Sequence, residues 1–223
     1  MESIKLEKYK TFMFDCDGVI LNSNKTKSDA FYKSILHYGE ELAYQFKEYH
    51  KQNGGISRQE KYDFLIDELA PKYKRKIKET NYDLCKKFSE IINEDLLTCE
   101  ISQSLKDLRE SYKSSNWLVV SGGNEKELND LFQYRDISNY FNKGIFGNPR
   151  SKYQIISDYM KDDGDIGEVI FIGDSKHDYE VATYYNFDFL FMSEWTEVHN
   201  WKSWIALKNI KQIHNLKTLL RSQ

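Results

Sequence analysis

Short apolar runs spaced along the chain constrain its fold more than any other feature. Thr11–Asp15 (TFMFD), Trp117–Ser121 (WLVVS), Val169–Asp174 (VIFIGD) and Phe187–Met192 (FDFLFM) are apolar at successive positions, with a weaker relative at Lys143–Phe146 (KGIF). Such segments bury both faces, as the strands of a parallel sheet do. Between most of them lie amphipathic stretches long enough for crossover helices: Leu105–Ser115, Lys126–Phe132, Ser151–Lys161 and Asp178–Tyr185. Strand and helix in alternation predict an α/β protein with a doubly wound, Rossmann-like parallel sheet.

One interval breaks the alternation. From Asn22 to about Asp95 only helical patterns occur, chiefly Lys25–Tyr38, Leu42–Tyr49, Ser57–Leu69 and Tyr82–Ile92. Gly54-Gly55 separates the second from the third, and Ser57 with Glu60 spells a capping box. The reading is a small helical cap (residues 22–94) inserted after the first strand of a core formed by residues 1–21 and 95–223.

Composition removes other classes. Of 223 residues 40% are hydrophobic and 15% aromatic, with 2 Pro and 11 Gly, enough apolar content for a core and too little Pro and Gly for a disordered or fibrous chain. No apolar run nears the roughly 20 residues of a membrane span. Met1–Lys10 is charged from its second residue, unlike a secretory signal. Cys16, Cys85 and Cys99 have neither even number nor CxxC spacing, so a reducing cytoplasm is expected. The formal net charge of −3 argues against nucleic acid as a partner. The sequence sets no oligomeric state.

Chemistry is written at the strand ends. The first closes as Asp15-Cys16-Asp17-Gly18, two carboxylates with the same direction where open α/β sheets bind ligands. Such a pair is costly to desolvate without a cation, although a DxDG surface turn would use the same residues. The strand ending Gly173-Asp174-Ser175-Lys176-His177-Asp178 adds two more carboxylates, an oxygen set suited to a hard cation such as Mg²⁺. Asp178 also suits the first turn of a helix. Ser121-Gly122-Gly123 offers a hydroxyl and free N–H groups for an anion, or Ser121 serves as an N-cap. Lys152 or Arg150 in Phe146-Gly147-Asn148-Pro149-Arg150-Ser151-Lys152 would supply a countercharge to phosphate.

This ordered set resembles the haloacid dehalogenase-like (HAD) hydrolase superfamily, in the subfamily with a helical cap after motif one that contains phosphoglycolate phosphatase and β-phosphoglucomutase. DCDGV matches motif one, Ser121 motif two, Lys152 motif three and GDSKHD motif four. The resemblance implies a phosphatase acting on a small phosphate monoester, with Asp15 as nucleophile and Asp17 as general acid. Mg²⁺ would be held by Asp15, the Asp17 main-chain carbonyl and Asp174, supported by Asp178. Ser121, the Gly122 N–H and Lys152 would hold the phosphoryl group. Asp15 is expected to be ionised without help, its reference pKa being about 3.9, and Asp17 to be raised by neighbouring carboxylates.

The cap segment Gly54-Gly55-Ile56-Ser57-Arg58-Gln59-Glu60-Lys61 resembles the cap loop of β-phosphoglucomutase-like members, making Arg58 the candidate substrate contact. A solvated place on the first helical turn is its other use. With FGNPRSK, this segment resembles phosphatases of bacterial surface-sugar pathways, suggesting a sugar-derived or aminoalcohol phosphate in capsule or lipopolysaccharide synthesis. A sugar phosphomutase would use the same Asp15 and Asp17, and a catalytically silent binding protein could share the scaffold. The basic run Pro71–Lys78 reads as a solvated helix face, Asp162–Asp165 as a loop, and Trp195, Trp201 and Trp204 as packing for the C-terminal segment.

Overall fold

The computed structural model describes residues 5–220; the first four and last three positions, to which the sequence reading extends the core and its leader argument, lie outside the described residues. Among the described residues six parallel strands form one sheet: β1 (Thr11–Phe14), β2 (Asn116–Asn124), β3 (Ile145–Asn148), β4 (Val169–Gly173), β5 (Asp188–Met192) and β6 (Lys211–Ile213), ordered β3-β2-β1-β4-β5-β6. The apolar runs became strands because both faces are covered. Phe12, Phe14, Trp117 and Ile172 pack on one side, while Met13, Leu118, Val120 and Phe171 pack on the other. Phe14 pairs in register with Val119 on one flank and Ile172 on the other, so β1 is central.

Two strands depart from the sequence reading. β2 continues past Ser121 to Asn124, through a register irregularity against β3 between Val120 and Asn124. β6 was unforeseen, since three residues with only Ile213 buried give no apolar run.

The helices between strands are α6 (Leu105–Ser111), α7 (Glu125–Tyr134), α8 (Lys152–Asp163) and α9 (Lys176–Tyr184). α6 stops at Ser111, four residues before its expected end, and Arg109 of its last turn donates to the carbonyls of Tyr112 and Ser115 beyond it. Trp201 and Trp204 of α10 (Trp201–Lys208) pack on Phe191, as expected of a C-terminal segment, and α11 (Lys217–Leu220) follows.

Between β1 and α6 the chain is helical: α1 (Asn24–Ile35), α2 (Glu40–Gln52), α3 (Arg58–Phe64), α4 (Ala70–Lys72) and α5 (Asn81–Thr98). α3 opens on the expected capping box of Ser57 and Glu60, and a π turn at Leu65–Leu69 leads into α4. α4 ends at Lys72, so the basic run is exposed turn and coil and not a helix face. Phe31, Phe46, Tyr62, Leu84, Phe88 and Ile92 form an apolar cluster drawn from these helices alone.

That separation yields a prediction. Phe46 is fully buried there, so Phe46→Ala is expected to cost about 3–5 kcal/mol. Hydrogen exchange is expected to accelerate in α1–α5 more than in β1, β2 and β4. Equal acceleration throughout would mean that the helical block does not open separately.

Candidate active site

In the sheet order, β1 and β4 are neighbours from which the chain leaves in opposite directions, β2–β3 to one side and β5–β6 to the other. The crevice at their carboxyl ends is a topological switch point, where no crossover covers the sheet edge. Asp15 follows β1 and Asp174 follows β4. The Asp15 N–H donates to the Ile172 carbonyl at 2.9 Å, carrying the ladder one residue past β1 and fixing where the carboxylate emerges. Gly18 then turns with φ +79°, and a Cβ there would meet Asp174 Oδ2 at 2.2 Å. Only glycine lets this loop pass so close to Asp174.

Lys152 is the first residue of α8 and almost wholly buried. Its Nζ donates to Asp15 Oδ1 at 2.7 Å and to Asp178 Oδ1 at 2.5 Å. Asp178 is itself fixed by a reciprocal cap. Ser175 donates from its N–H (3.1 Å) and hydroxyl (2.6 Å) to Asp178 Oδ2, and Ser175 Oγ accepts from the Asp178 N–H. The helix-start use of Asp178 and its place in the acidic cluster therefore coexist. Asp174 Oδ2 accepts from Asn24 at 2.7 Å, and its carbonyl accepts from Thr196 at 2.6 Å.

One carboxylate oxygen from each of Asp15, Asp174 and Asp178 lies within 4.8 Å of the others. Burial, then the charge of Asp178, pushes the Asp15 carboxyl up to about 7 against the pull of Lys152. Burial and Asp15 likewise push Asp174 well above the usual carboxylate range. The expectation that Asp15 ionises without help is thus corrected: three buried carboxylates have one ammonium among them, on Asp15 and Asp178, so ionising all three would leave two negative charges uncompensated. Oxygen donors with that excess fit a hard divalent cation.

Asp17 behaves in the opposite sense. Its side chain accepts from Lys27 Nζ at 2.6 Å and Ser23 Oγ at 2.5 Å. Burial pushes its carboxyl up, but Lys27 and these hydrogen bonds outweigh it and hold it below the ordinary value. The expected upward shift from neighbouring carboxylates does not occur, because a cation from α1 faces this side chain.

Gly122 and Gly123 line the cavity between the strand ends and the helical block, together with Asp15, Asp17, Asp174 and Arg58. Ser121 is fully buried, and its Oγ accepts from the Gly123 N–H at 3.0 Å. It is not the N-cap; Asn124 caps α7. A Cβ on Gly122 would meet the Gly55 carbonyl at 2.5 Å, so the α2–α3 loop rests directly on the β2 end. Arg150 faces away, paired with Glu125 at 2.8 Å, leaving Lys152 as the cation of this segment. Arg58 is buried, not solvated. Its guanidinium lies 4.9 Å from the Phe88 ring centre and pairs with Glu127 of α7 at 2.5 Å. His177 has Glu180 at 3.7 Å and Tyr153 beside it.

Asn24, Lys27, His50, Lys61 and Glu127 escaped the sequence reading. Each is an ordinary polar residue on a helix, and only tertiary packing brings the first four to the cavity and Glu127 to Arg58.

A family model for haloacid dehalogenase-like hydrolases matches residues 9–184, most of the chain, and the chain belongs to that family. No curated protein matches by sequence. Among solved structures, a predicted phosphoglycolate phosphatase from Haemophilus somnus superposes with TM-score 0.72 at 16% identity, covering 97% of this chain and 98% of that one. A β-phosphoglucomutase from Clostridium difficile gives 0.69 at 16%, covering 96% of each chain. A HAD hydrolase from Bacillus subtilis, bound to magnesium, gives 0.66 at 16%, covering 96% and 98%. These similarities establish the fold.

The raised carboxyls predict a pH dependence. In the unfolded chain Asp15 and Asp174 ionise near their ordinary values, about 3.8, whereas the folded cluster holds its protons longer. Their contribution to stability is therefore complete at acid pH and is lost as pH rises through about 7 for Asp15. Melting of chelator-treated protein is expected to show a larger gain from Mg²⁺ at pH 8 than at pH 5. An equal gain at both would overturn this account.

Proposed function

We propose that this HAD-family hydrolase is a Mg²⁺-dependent phosphatase that cleaves a small phosphate monoester through a phosphoaspartyl intermediate on Asp15. The observation that carries the reading is the buried Asp15–Lys152–Asp178 chain set beside Asp174 at the β1/β4 switch point. Family membership supports hydrolysis. The Asp15 and Asp174 carboxylates with the Asp17 main-chain carbonyl would hold Mg²⁺, which when bound offsets the cluster's excess charge and that on phosphoryl oxygens. This assignment draws support from the magnesium-bound B. subtilis relative.

Lys152 orients Asp15 and supplies positive charge beside the phosphoryl group, so that an anionic nucleophile can approach an anionic ester. The Gly122 N–H and Ser121 complete the phosphoryl cradle. Asp17 gives a proton to the leaving oxygen and later takes one from the attacking water. Held ionised by Lys27 at rest, it suits the second task directly. A dianionic phosphoryl group arriving beside it adds a like charge and raises its proton affinity for the first.

Residues 22–94 would act as the cap that closes over the ester and excludes bulk water. The α2–α3 loop seated on Gly122 supports this, and Arg58, lining the cavity, would set part of its shape. A sugar-derived or aminoalcohol phosphate of a surface-polysaccharide pathway is the substrate class suggested by the cap segment and FGNPRSK.

Asp15→Asn is expected to lower phosphate release across a panel of Mg²⁺-supported esters by about a thousandfold or more while leaving the fold intact. Retained turnover would overturn the nucleophile assignment. Recovery of an isomerised sugar phosphate in place of free phosphate would replace hydrolysis with mutase chemistry.

A further inference from the structure

The carboxylates at the strand ends differ in what holds them. Lys152 brings an ammonium to Asp15 at 2.7 Å and to Asp178 at 2.5 Å, and Lys27 brings one to Asp17 at 2.6 Å. Asp174 is as deeply buried as Asp15, yet among the described residues it pairs with no cationic side chain. The side-chain donor to its carboxylate is a neutral amide, Asn24 Nδ2, at 2.7 Å from Oδ2. The second N–H of that amide goes to the Trp195 carbonyl at 2.9 Å, so both of its hydrogens are committed. Thr196 then donates to the Asp174 carbonyl at 2.6 Å.

Packing enforces this contact. A Cβ on Gly18 would meet Asp174 Oδ2 at 2.2 Å and Asn24 Nδ2 at 2.3 Å, so the turn after β1 closes on the hydrogen bond from one side. Asn24 opens α1, whose neighbouring residues Ser23 and Lys27 hold the two oxygens of Asp17. One amide thus joins the first inserted helix, the end of β4 and the segment after β5. Its chemical type is the informative part. An Asp at this position would set a fourth carboxylate against Asp174, and a Lys would cancel the Asp174 charge. An amide does neither: it fixes the direction of the carboxylate and leaves the charge for a cation. Carboxylates that bind metals are held from behind by such hydrogen bonds, and the affinity of the site depends on them.

Resting on the Mg²⁺ site of the reading above, we propose that Asn24 is the positioning residue of Asp174: it fixes that carboxylate in the orientation that receives Mg²⁺ and thereby sets the affinity of the site for the ion. The residue that begins the helical block is then a working part of the metal site of the core.

The test strips the full chain with a chelator and titrates it with Mg²⁺ by calorimetry. Asn24→Ala is expected to weaken Mg²⁺ binding about tenfold. In phosphate release from p-nitrophenyl phosphate, the Mg²⁺ concentration giving half the maximal rate is expected to rise by the same factor, while the rate at saturating Mg²⁺ stays within a few-fold. A merely structural role would lower the melting temperature and leave Mg²⁺ affinity where it was. Ser28, one turn further along α1, holds Glu197 of the segment that contains Trp195, and Ser28→Ala is expected to leave Mg²⁺ affinity unchanged. Should Asn24→Ala fail to fold, Asn24→Ser takes its place, its hydroxyl having one hydrogen for two acceptors. Equal Mg²⁺ affinity in the Asn24 variant and the unmodified chain would overturn the Asn24 role and leave the phosphatase standing. An equal loss in the Asn24 and Ser28 variants would also overturn it, assigning the effect to segment 195–197. No Mg²⁺ uptake by the unmodified chain would overturn the metal reading itself, and this proposal with it.

Discussion

Lys152 carries the electrostatics on which the strand-end cluster depends. Its ammonium is buried between Asp15 and Asp178, and burial that ought to strip its charge is outweighed by those two carboxylates, which raise its proton affinity. Remove that charge and Asp15, Asp174 and Asp178 would face one another in a desolvated crevice with nothing positive among the side chains in contact with them, a strongly destabilising arrangement. Each member is pinned by backbone geometry: Asp15 by the ladder to Ile172, Lys152 at the start of α8, Asp178 by the Ser175 cap. Three elements meet at one nitrogen, and sheet packing sets the distances.

The parts of this site that were legible in sequence lie where local pattern and chemistry coincide. Apolar runs marked the strands, and Asp15, Asp17 and Asp174 followed directly on two of them. The capping motifs were likewise local, since Ser57 with Glu60 needs no tertiary information. What was missed depends on packing at a distance. Asn24 reaches Asp174 from 150 residues away, and Glu127 reaches Arg58 from 69. β6 escaped for a different reason: with one buried residue in three, it pairs at the sheet edge by backbone hydrogen bonds that no side-chain pattern announces.

Proton affinities were the least legible property. A single residue, Cys16, separates Asp15 from Asp17, yet one is pushed up and the other held down. The sequence reading had Asp15 ionised at its ordinary value and Asp17 raised by its neighbours, the reverse of what the structure holds. The difference is that Asp15 shares its cation with Asp178 and lies beside Asp174, whereas Asp17 has Lys27 and Ser23 to itself. Two neighbouring carboxylates thereby acquire opposite tendencies.

Lys27 lies in the first turn of α1, the first of the inserted helices, while Asp17 belongs to the strand-end loop. The ion pair between them therefore joins the inserted helices to the core through the carboxyl proposed above to handle protons. A displacement of α1 that lengthened this 2.6 Å contact would release Asp17 from the charge holding it down and leave burial to push it up. Arg58–Glu127 bridges the same two parts of the chain on another face, from α3 to α7. Under the roles proposed above, the placing of α1 and the protonation of Asp17 are coupled, because a ligand that adds negative charge beside Lys27 competes with Asp17 for it.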